Sequence, residues 1–217
     1  DMALEINLEC LDLFEKVVGQ EHPDYALSLN NLALTYSSLG DYNKALKMQL
    51  ECLSLKEKLS GKEHPDYALS LTNLAMTYSS LGDYDKALEL SLECLSLSEK
   101  LSGKEHPDYA LSLNNLALTY FSLGDYDKAL ELNIQCLALF ENVVGKDHPS
   151  YAISLNYLSR TYSSLGDYDK ALELDLGCLA LMEKLYGKEH PDYAKSLSTL
   201  ALTYSNLGDY DKALDLN

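Results

Sequence analysis

The sequence has no apolar run near the ~18 residues that a membrane-spanning helix needs. It opens with neither a secretory leader nor an arginine-rich transit segment. It also contains no Asn-x-Ser/Thr site for N-glycosylation. From these absences we expect a cytoplasmic protein with no membrane partner.

Positive charge is scarce as well. Lys and Arg together number 17 against 34 Asp and Glu, which gives a formal net charge of −17. A nucleic-acid-binding surface needs a basic stripe, and the sequence has none, so we expect no nucleic-acid partner. The acidic excess favours solubility, and among protein ligands it favours a basic one.

Motifs for chemistry are missing too. The sequence has no glycine-rich phosphate loop, no nucleophile elbow, no zinc-binding helix motif and no Cys-x-x-Cys pair. Asp83 and Asp85 imitate the start of a calcium loop, but Leu88 and Cys94 stand where Gly and Glu are required. We therefore predict a protein that is not an enzyme, with no catalytic residue, no metal site and no cofactor.

A period of 42 residues organises the chain. Such a period predicts a stacked array of one supersecondary unit. Histidines one unit apart cannot converge on one metal, so they are expected to cap or pack at helix starts. Cysteines one unit apart are too distant for disulfides, because packed helices lie ~8–10 Å apart, and we expect buried, inert thiols. The recurring residues are His22, His64, His106, His148 and His190, each followed by proline, and Cys10, Cys52, Cys94, Cys136 and Cys178.

Each unit predicts two helices. In residues 64–105, Pro65 suits the first turn of a helix, and apolar residues at spacings of three and four follow it. Gly82 is expected to end this helix in a left-handed conformation, and Asp83 to cap the next. A broad apolar stripe marks the second helix until Gly103.

We predict a single array over residues 1–217. Neither end carries a polar capping helix, so we expect a piece of a longer array whose ends self-associate. The predicted units are residues 1–21 (partial), 22–63, 64–105, 106–147, 148–189 and 190–217 (partial).

The unit resembles the tetratricopeptide repeat (TPR). The matching positions are an apolar and a small residue in the first helix, a tyrosine one turn later, the turn glycine, another tyrosine and small residues in the second helix. A usual repeat has ~34 residues, so this longer unit is similar to the subclass of kinesin light chains. In the unit from His64 the matching residues are Leu74, Ala75, Tyr78, Gly82, Tyr84, Ala87 and Cys94.

The resemblance implies an all-α, right-handed superhelical solenoid of antiparallel helical hairpins. It also implies that first helices line a concave groove that holds an extended protein or peptide ligand, with Asn side chains bonding its backbone. An alternative for these Asn residues is a bond between neighbouring units. The candidate groove residues are Asn30, Asn31, Leu34, Asn73, Met76, Asn114, Asn115, Leu118, Phe121, Asn156, Tyr157, Arg160 and Lys195.

Four of these candidates break a nearly copied pattern: Phe121, Tyr157, Arg160 and Lys195. Ligand specificity is expected where units differ, although neutral drift explains such changes equally well. The main functional hypothesis is a protein–protein interaction scaffold. Two alternatives remain: a sensor or autoinhibitory repeat domain of a larger signalling ATPase, and a structural spacer or self-assembly array without a dedicated ligand.

Overall fold

The computed structural model describes residues 2–216 and is 84% helical. No strand occurs within these residues. The chain forms two compact units, residues 1–104 and residues 105–217. The prediction of an all-α chain of antiparallel helical hairpins is confirmed, while the single array over residues 1–217 stays a prediction.

Consecutive helices pack against each other within each unit. We call the even-numbered helices first helices and the odd-numbered ones second helices. The first unit contains α1 (Met2–Val18), α2 (Pro23–Ser38), α3 (Tyr42–Ser60), α4 (Pro65–Ser80) and α5 (Tyr84–Ser102). The second unit contains α6 (Pro107–Leu123), α7 (Tyr126–Val143), α8 (Pro149–Ser164), α9 (Tyr168–Tyr186), α10 (Pro191–Leu207) and α11 (Tyr210–Asp215).

Each first helix begins at a proline that follows a capping histidine. In α4, Nδ1 of His64 accepts a hydrogen bond of 3.2 Å from the backbone N–H of Asp66. Proline costs nothing at this position, since its missing N–H would have no partner in the first turn. The predicted role of the histidines at helix starts is confirmed, and the other four caps are His22, His106, His148 and His190.

The turn between first and second helix is built by Gly-Asp-Tyr-x-Lys. Gly82 adopts φ 80°, a conformation that strains any residue with a Cβ. The Asp83 carboxylate caps α5 by accepting the Lys86 backbone N–H at 3.4 Å. The Lys86 ammonium returns to Asp83 at 2.9 Å and lies 5.0 Å from the centre of the Tyr78 ring. This side-chain bond from Lys86 holds the pKa of Asp83 below its ordinary value.

Small residues let the helices of a hairpin approach closely. Ala45, Ala87, Ala129 and Ala171 are fully buried at equivalent positions of the second helices. The cysteine is another small residue of the second helix, and its thiol donates a hydrogen bond to a backbone carbonyl of the first helix. The Cys136 thiol, for example, donates to the Ala110 carbonyl at 3.2 Å. All five cysteines are free, four are buried, and Cys10 is half-buried, so the predicted burial of the thiols holds for four of them.

Candidate functional site

The first helices α2 and α4, which lie in the unit of residues 1–104, expose an uncharged face. Leu27 and Leu34 on α2 lie seven residues, or two turns, apart, and Leu69 and Met76 repeat this arrangement on α4. These four side chains are 44–56% exposed. The exposed Asn31 lies between the two leucines of α2. The face therefore offers apolar contact beside a free amide group.

Asn73 joins two first helices. Its Nδ2 donates a 3.0 Å hydrogen bond to Oδ1 of Asn30, which is buried. Asn73 therefore forms a bond between neighbouring repeats, which was the alternative interpretation of these Asn residues, and the buried Asn30 is its partner. In the second unit Asn156 donates to Thr199 at 3.4 Å, Asn115 is half-buried and Asn114 is buried.

An open pocket of about 340 Å³ lies between α2 and α4. It is lined by three of the predicted residues, Leu34, Asn73 and Met76, and its wall includes Gln49 from α3. Gln49 is 4% exposed, and its Oε1 has no hydrogen-bond partner in the described part of the chain. An unsatisfied buried acceptor favours a bound N–H donor, from water or from a ligand.

Sequence reasoning missed Gln49. The signal was available, because residues 49, 91, 133 and 175 occupy one repeated position and are Gln, Ser, Asn and Asp. Alanine and cysteine positions on either side do not vary. A polar position that changes within a constant apolar stripe is a sign of specialised contacts.

The second unit places Arg160 among aromatic rings. The guanidinium carbon lies 5.1 Å from the centre of the Phe121 ring on α6 and 6.0 Å from that of Tyr157. Both distances are within the range of cation–π attraction. Arg160 is the only arginine of the sequence, and no carboxylate within residues 2–216 lies within 4 Å of it. The rings therefore hold an exposed cation that has no ionic partner in the described chain.

A larger open pocket, of about 550 Å³, lies between α8 and α10. It brings together four predicted residues, which are Asn156, Tyr157, Arg160 and Lys195. Lys195 pairs with Asp192 at 2.8 Å. Other residues complete the wall, among them Ile153, Met182, Tyr186 and Thr199.

Leu118 and Phe121 border a much smaller cavity of about 10 Å³. That volume matches a single water molecule. The Asn133 side chain beside it is 3% exposed, and its Oδ1 has no partner in the described residues. Asn31 and Asn115 lie outside all three pockets.

Charge is distributed unevenly between the two kinds of helix. α2 and α4 each carry one charged residue, Asp24 and Asp66, near their starts, whereas α3 carries six and α5 carries six. Second helices also expose apolar side chains, such as Leu92 on α5, but Leu92 is flanked by the charged Glu89 and Glu93. The uncharged apolar face is thus a property of the first helices α2 and α4.

No group of three or more His, Cys, Asp or Glu residues in residues 2–216 is placed to hold a metal ion. Burial raises the pKa of the Cys136 thiol to about 11, which disfavours the nucleophilic thiolate. None of the described helices is both long and apolar enough to cross a membrane.

Antiparallel helical hairpins with an exposed first-helix face define a helical-repeat protein. The model of the tetratricopeptide repeat family matches the whole chain, at residues 1–58, 39–100, 66–141, 108–176 and 164–217. The chain therefore belongs to the tetratricopeptide repeat family. No curated protein matches it.

Solved structures extend this result. One solved structure contains nearly identical TPR-like repeats of a kinesin-light-chain-type protein from Podosopora anserina, and its sequence is 30% identical to that of this chain. The TM-score is 0.72, and the match covers 90% of this chain and 93% of that one. BtubC (BKLC) from P. vanneervenii is 24% identical, with a TM-score of 0.78, over 99% of this chain and 87% of that one. The likeness to BtubC shows a shared fold only. The predicted similarity to kinesin-light-chain-like repeats is confirmed.

Proposed function

We propose that this protein binds an extended segment of another protein along the exposed faces of its first helices. TPR proteins are in general protein–protein interaction modules. The observation that carries the proposal is the uncharged row of half-exposed apolar side chains on neighbouring first helices, such as Leu34 and Met76. Covering apolar surface contributes roughly 25 cal/mol per Å², so a segment that lies over this row gains affinity from several small contacts.

Amide groups support the same function. An extended segment presents N–H and C=O groups that need partners when water is excluded. The exposed Asn31 and the half-buried Asn73 and Asn115 supply both donors and acceptors on this face. Each such bond adds only ~1 kcal/mol net, so binding depends on several repeats acting together.

At the pocket between α8 and α10 the ligand presents an acidic side chain. The Arg160 guanidinium is exposed, oriented by two aromatic rings and without a carboxylate partner in residues 2–216. A planar guanidinium held in this way suits a carboxylate, with which it forms two parallel hydrogen bonds. The net charge of the sequence favoured a basic ligand, but most of that negative charge belongs to other surfaces, so we propose an acidic and apolar segment here.

A peptide-display selection tests the proposal. A library of random 12-residue peptides is selected on the immobilised chain, on Arg160→Leu and on Lys188→Leu. Leucine stands at the equivalent positions 34, 118 and 202, so the first variant fits the fold. The second removes the same charge at an exposed lysine that pairs with Glu183 outside the pocket.

We expect the wild-type chain and Lys188→Leu to enrich apolar peptides that contain Asp or Glu. Arg160→Leu should keep the apolar preference and lose the acidic one. Enrichment of the same acidic peptides on Arg160→Leu would refute the role of Arg160. A chain that enriches no peptide above an empty support would refute peptide binding and favour the spacer alternative.

A further inference from the structure

One polar position of the second helices is bonded to the next first helix in α1, α7 and α9. The residue at this position meets a threonine 28 residues later, as in the 2.7 Å bond from Asn7 to Thr35 and the 2.9 Å bond from Asn133 to Thr161. In α9 the position is held by Asp175, whose Oδ2 accepts a 2.6 Å bond from the Thr203 hydroxyl of α10. Asp175 is the only carboxyl in this series.

Only hydroxyl groups stabilise a charge on Asp175. The side chain is 2% exposed, and its Oδ1 has no hydrogen-bond partner in the described residues. No cation within residues 2–216 pairs with it. Of the cations on the neighbouring helices α8 and α10, Lys195 pairs with Asp192, and Arg160 lies over aromatic rings. Burial raises the pKa of the Asp175 carboxyl, and the Ser159 and Thr203 hydroxyls oppose this rise.

The other titratable groups on the packed helices leave this conclusion unchanged. α9 packs against α8 and α10, and the neighbouring titratable groups on α9 itself are the exposed Glu173 and the buried Cys178 thiol, whose pKa burial raises. Tyrosine side chains are neutral where a carboxyl titrates, since their ordinary pKa is about 10. The tyrosines of α8 and α10 are Tyr151, Tyr157, Tyr162, Tyr193 and Tyr204.

We propose that protonation of Asp175 controls how firmly α10 docks on α9, and so acts as a pH-dependent latch on this hairpin. The neutral carboxyl fits the buried site. The ionised carboxylate is buried there with only two hydroxyl groups beside it, those of Thr203 and Ser159, and it regains water when α10 separates from α9. This docking requires no ligand, so the latch is independent of the proposed peptide binding.

The latch has a consequence for the neighbouring pocket. One wall of the 550 Å³ pocket belongs to α10, which contributes Lys195, Ser196 and Thr199. Loosening α10 therefore moves one side of the proposed ligand site relative to Tyr157 and Arg160 on α8. The pocket is most firmly held when Asp175 is protonated.

The direction of the pH effect follows from proton linkage. A carboxyl whose folded-state pKa lies above its ordinary pKa of 3.8 stabilises docking fully only when the pH is below 3.8. This stabilisation is lost as the pH rises through the folded-state pKa. Within the window between the two values the docking constant falls up to about tenfold per pH unit.

Hydrogen exchange tests the latch. Exchange of the α10 amides, corrected for the intrinsic pH dependence, is measured from pH 4 to 7 in the wild-type chain, Asp175→Asn and Glu173→Gln. Asparagine occupies the equivalent position 133, so Asp175→Asn has a precedent in the same unit. Glu173→Gln removes an exposed charge from the same helix.

We expect opening of α10 to increase with pH in the wild type and in Glu173→Gln, and to stay level in Asp175→Asn. Parallel profiles in all three would overturn the latch. A carbon-13 titration of the Asp175 carboxyl in the wild-type chain tests the same idea without any variant. Protonation at an ordinary carboxyl pKa of 3.8 would also overturn it.

Discussion

Arg160 and Phe121 lie on neighbouring first helices, with the guanidinium carbon 5.1 Å from the centre of the ring. The contact joins α8 to α6, and the only charged residues of these two helices are Arg160 and Asp108. In the other repeats the position of Phe121 holds serine, at residues 37, 79, 163 and 205. The aromatic ring and the arginine are thus paired departures from the repeat.

Replacing Phe121 with serine should weaken binding of acidic peptides without unfolding the chain. Serine suits this position in the other units, and the loss of one exposed cation–π contact is worth ~0.5–1 kcal/mol, or about two- to fivefold in affinity. Calorimetric titration with a peptide selected on the wild-type chain measures the change. Unaltered affinity together with an unaltered preference for Asp and Glu would contradict a positioning role for Phe121.

Two glycine substitutions should change stability in opposite directions. Gly82 has φ 80° and Gly177 lies inside α9, and a Cβ at either position would meet no atom within 4 Å. Gly82→Ala should lower the free energy of unfolding by ~1 kcal/mol through backbone strain, and Gly177→Ala should raise it by ~1 kcal/mol through helix propensity. Urea denaturation compares both with the wild type. Equal effects of the two changes would show that neither turn geometry nor propensity governs these sites.

The Asn73 side chain should contribute more to stability than that of Asn31. Asn73→Ala leaves the buried Asn30 carboxamide without its 3.0 Å partner, at a cost of ~1–2 kcal/mol. Asn31→Ala removes an exposed side chain and should be nearly neutral. Thermal unfolding of both variants distinguishes the two roles, and an equal loss of stability would refute the structural role of Asn73.

The buried thiols should resist alkylation. With its pKa raised to about 11, Cys136 is ~0.1% thiolate at pH 8, and burial also blocks the reagent. Cys10 is half-buried and should react first. Intact-mass measurement after iodoacetamide treatment, followed by peptide mapping, checks the order. Modification of Cys136 before Cys10 in folded protein would contradict the packing described for α6 and α7.

Much of the fold could be predicted from the sequence, because the repeat copies local signals. His64 and Pro65 at a helix start, Gly82 at a turn and Asp83 at a cap act through neighbouring backbone groups only. Such local chemistry needs no knowledge of distant contacts. The predicted helix order and turns therefore agree with the structure.

The site was harder to predict, because a face is set by rotation about the helix axis. Two adjacent residues differ by about 100°, so the pattern could not say which of Asn30 and Asn31 faces outward. Three of the four residues chosen for breaking the repeat, Tyr157, Arg160 and Lys195, line one pocket. Gln49 and Asp175 were missed, since buried positions of the second helix were interpreted as packing alone.

Methyl chemical-shift mapping tests the central proposal most directly. The chain is titrated with a peptide selected on it, and shifts on the first helices are compared with shifts on the second helices. Leu111 and Ile153 represent the first helices, with exposures of 46% and 47%, and Ile134 and Leu176 represent the second, with 46% and 44%. We predict large shifts at Leu111 and Ile153 and none at Ile134 and Leu176, and the reverse pattern would contradict binding along the first-helix face.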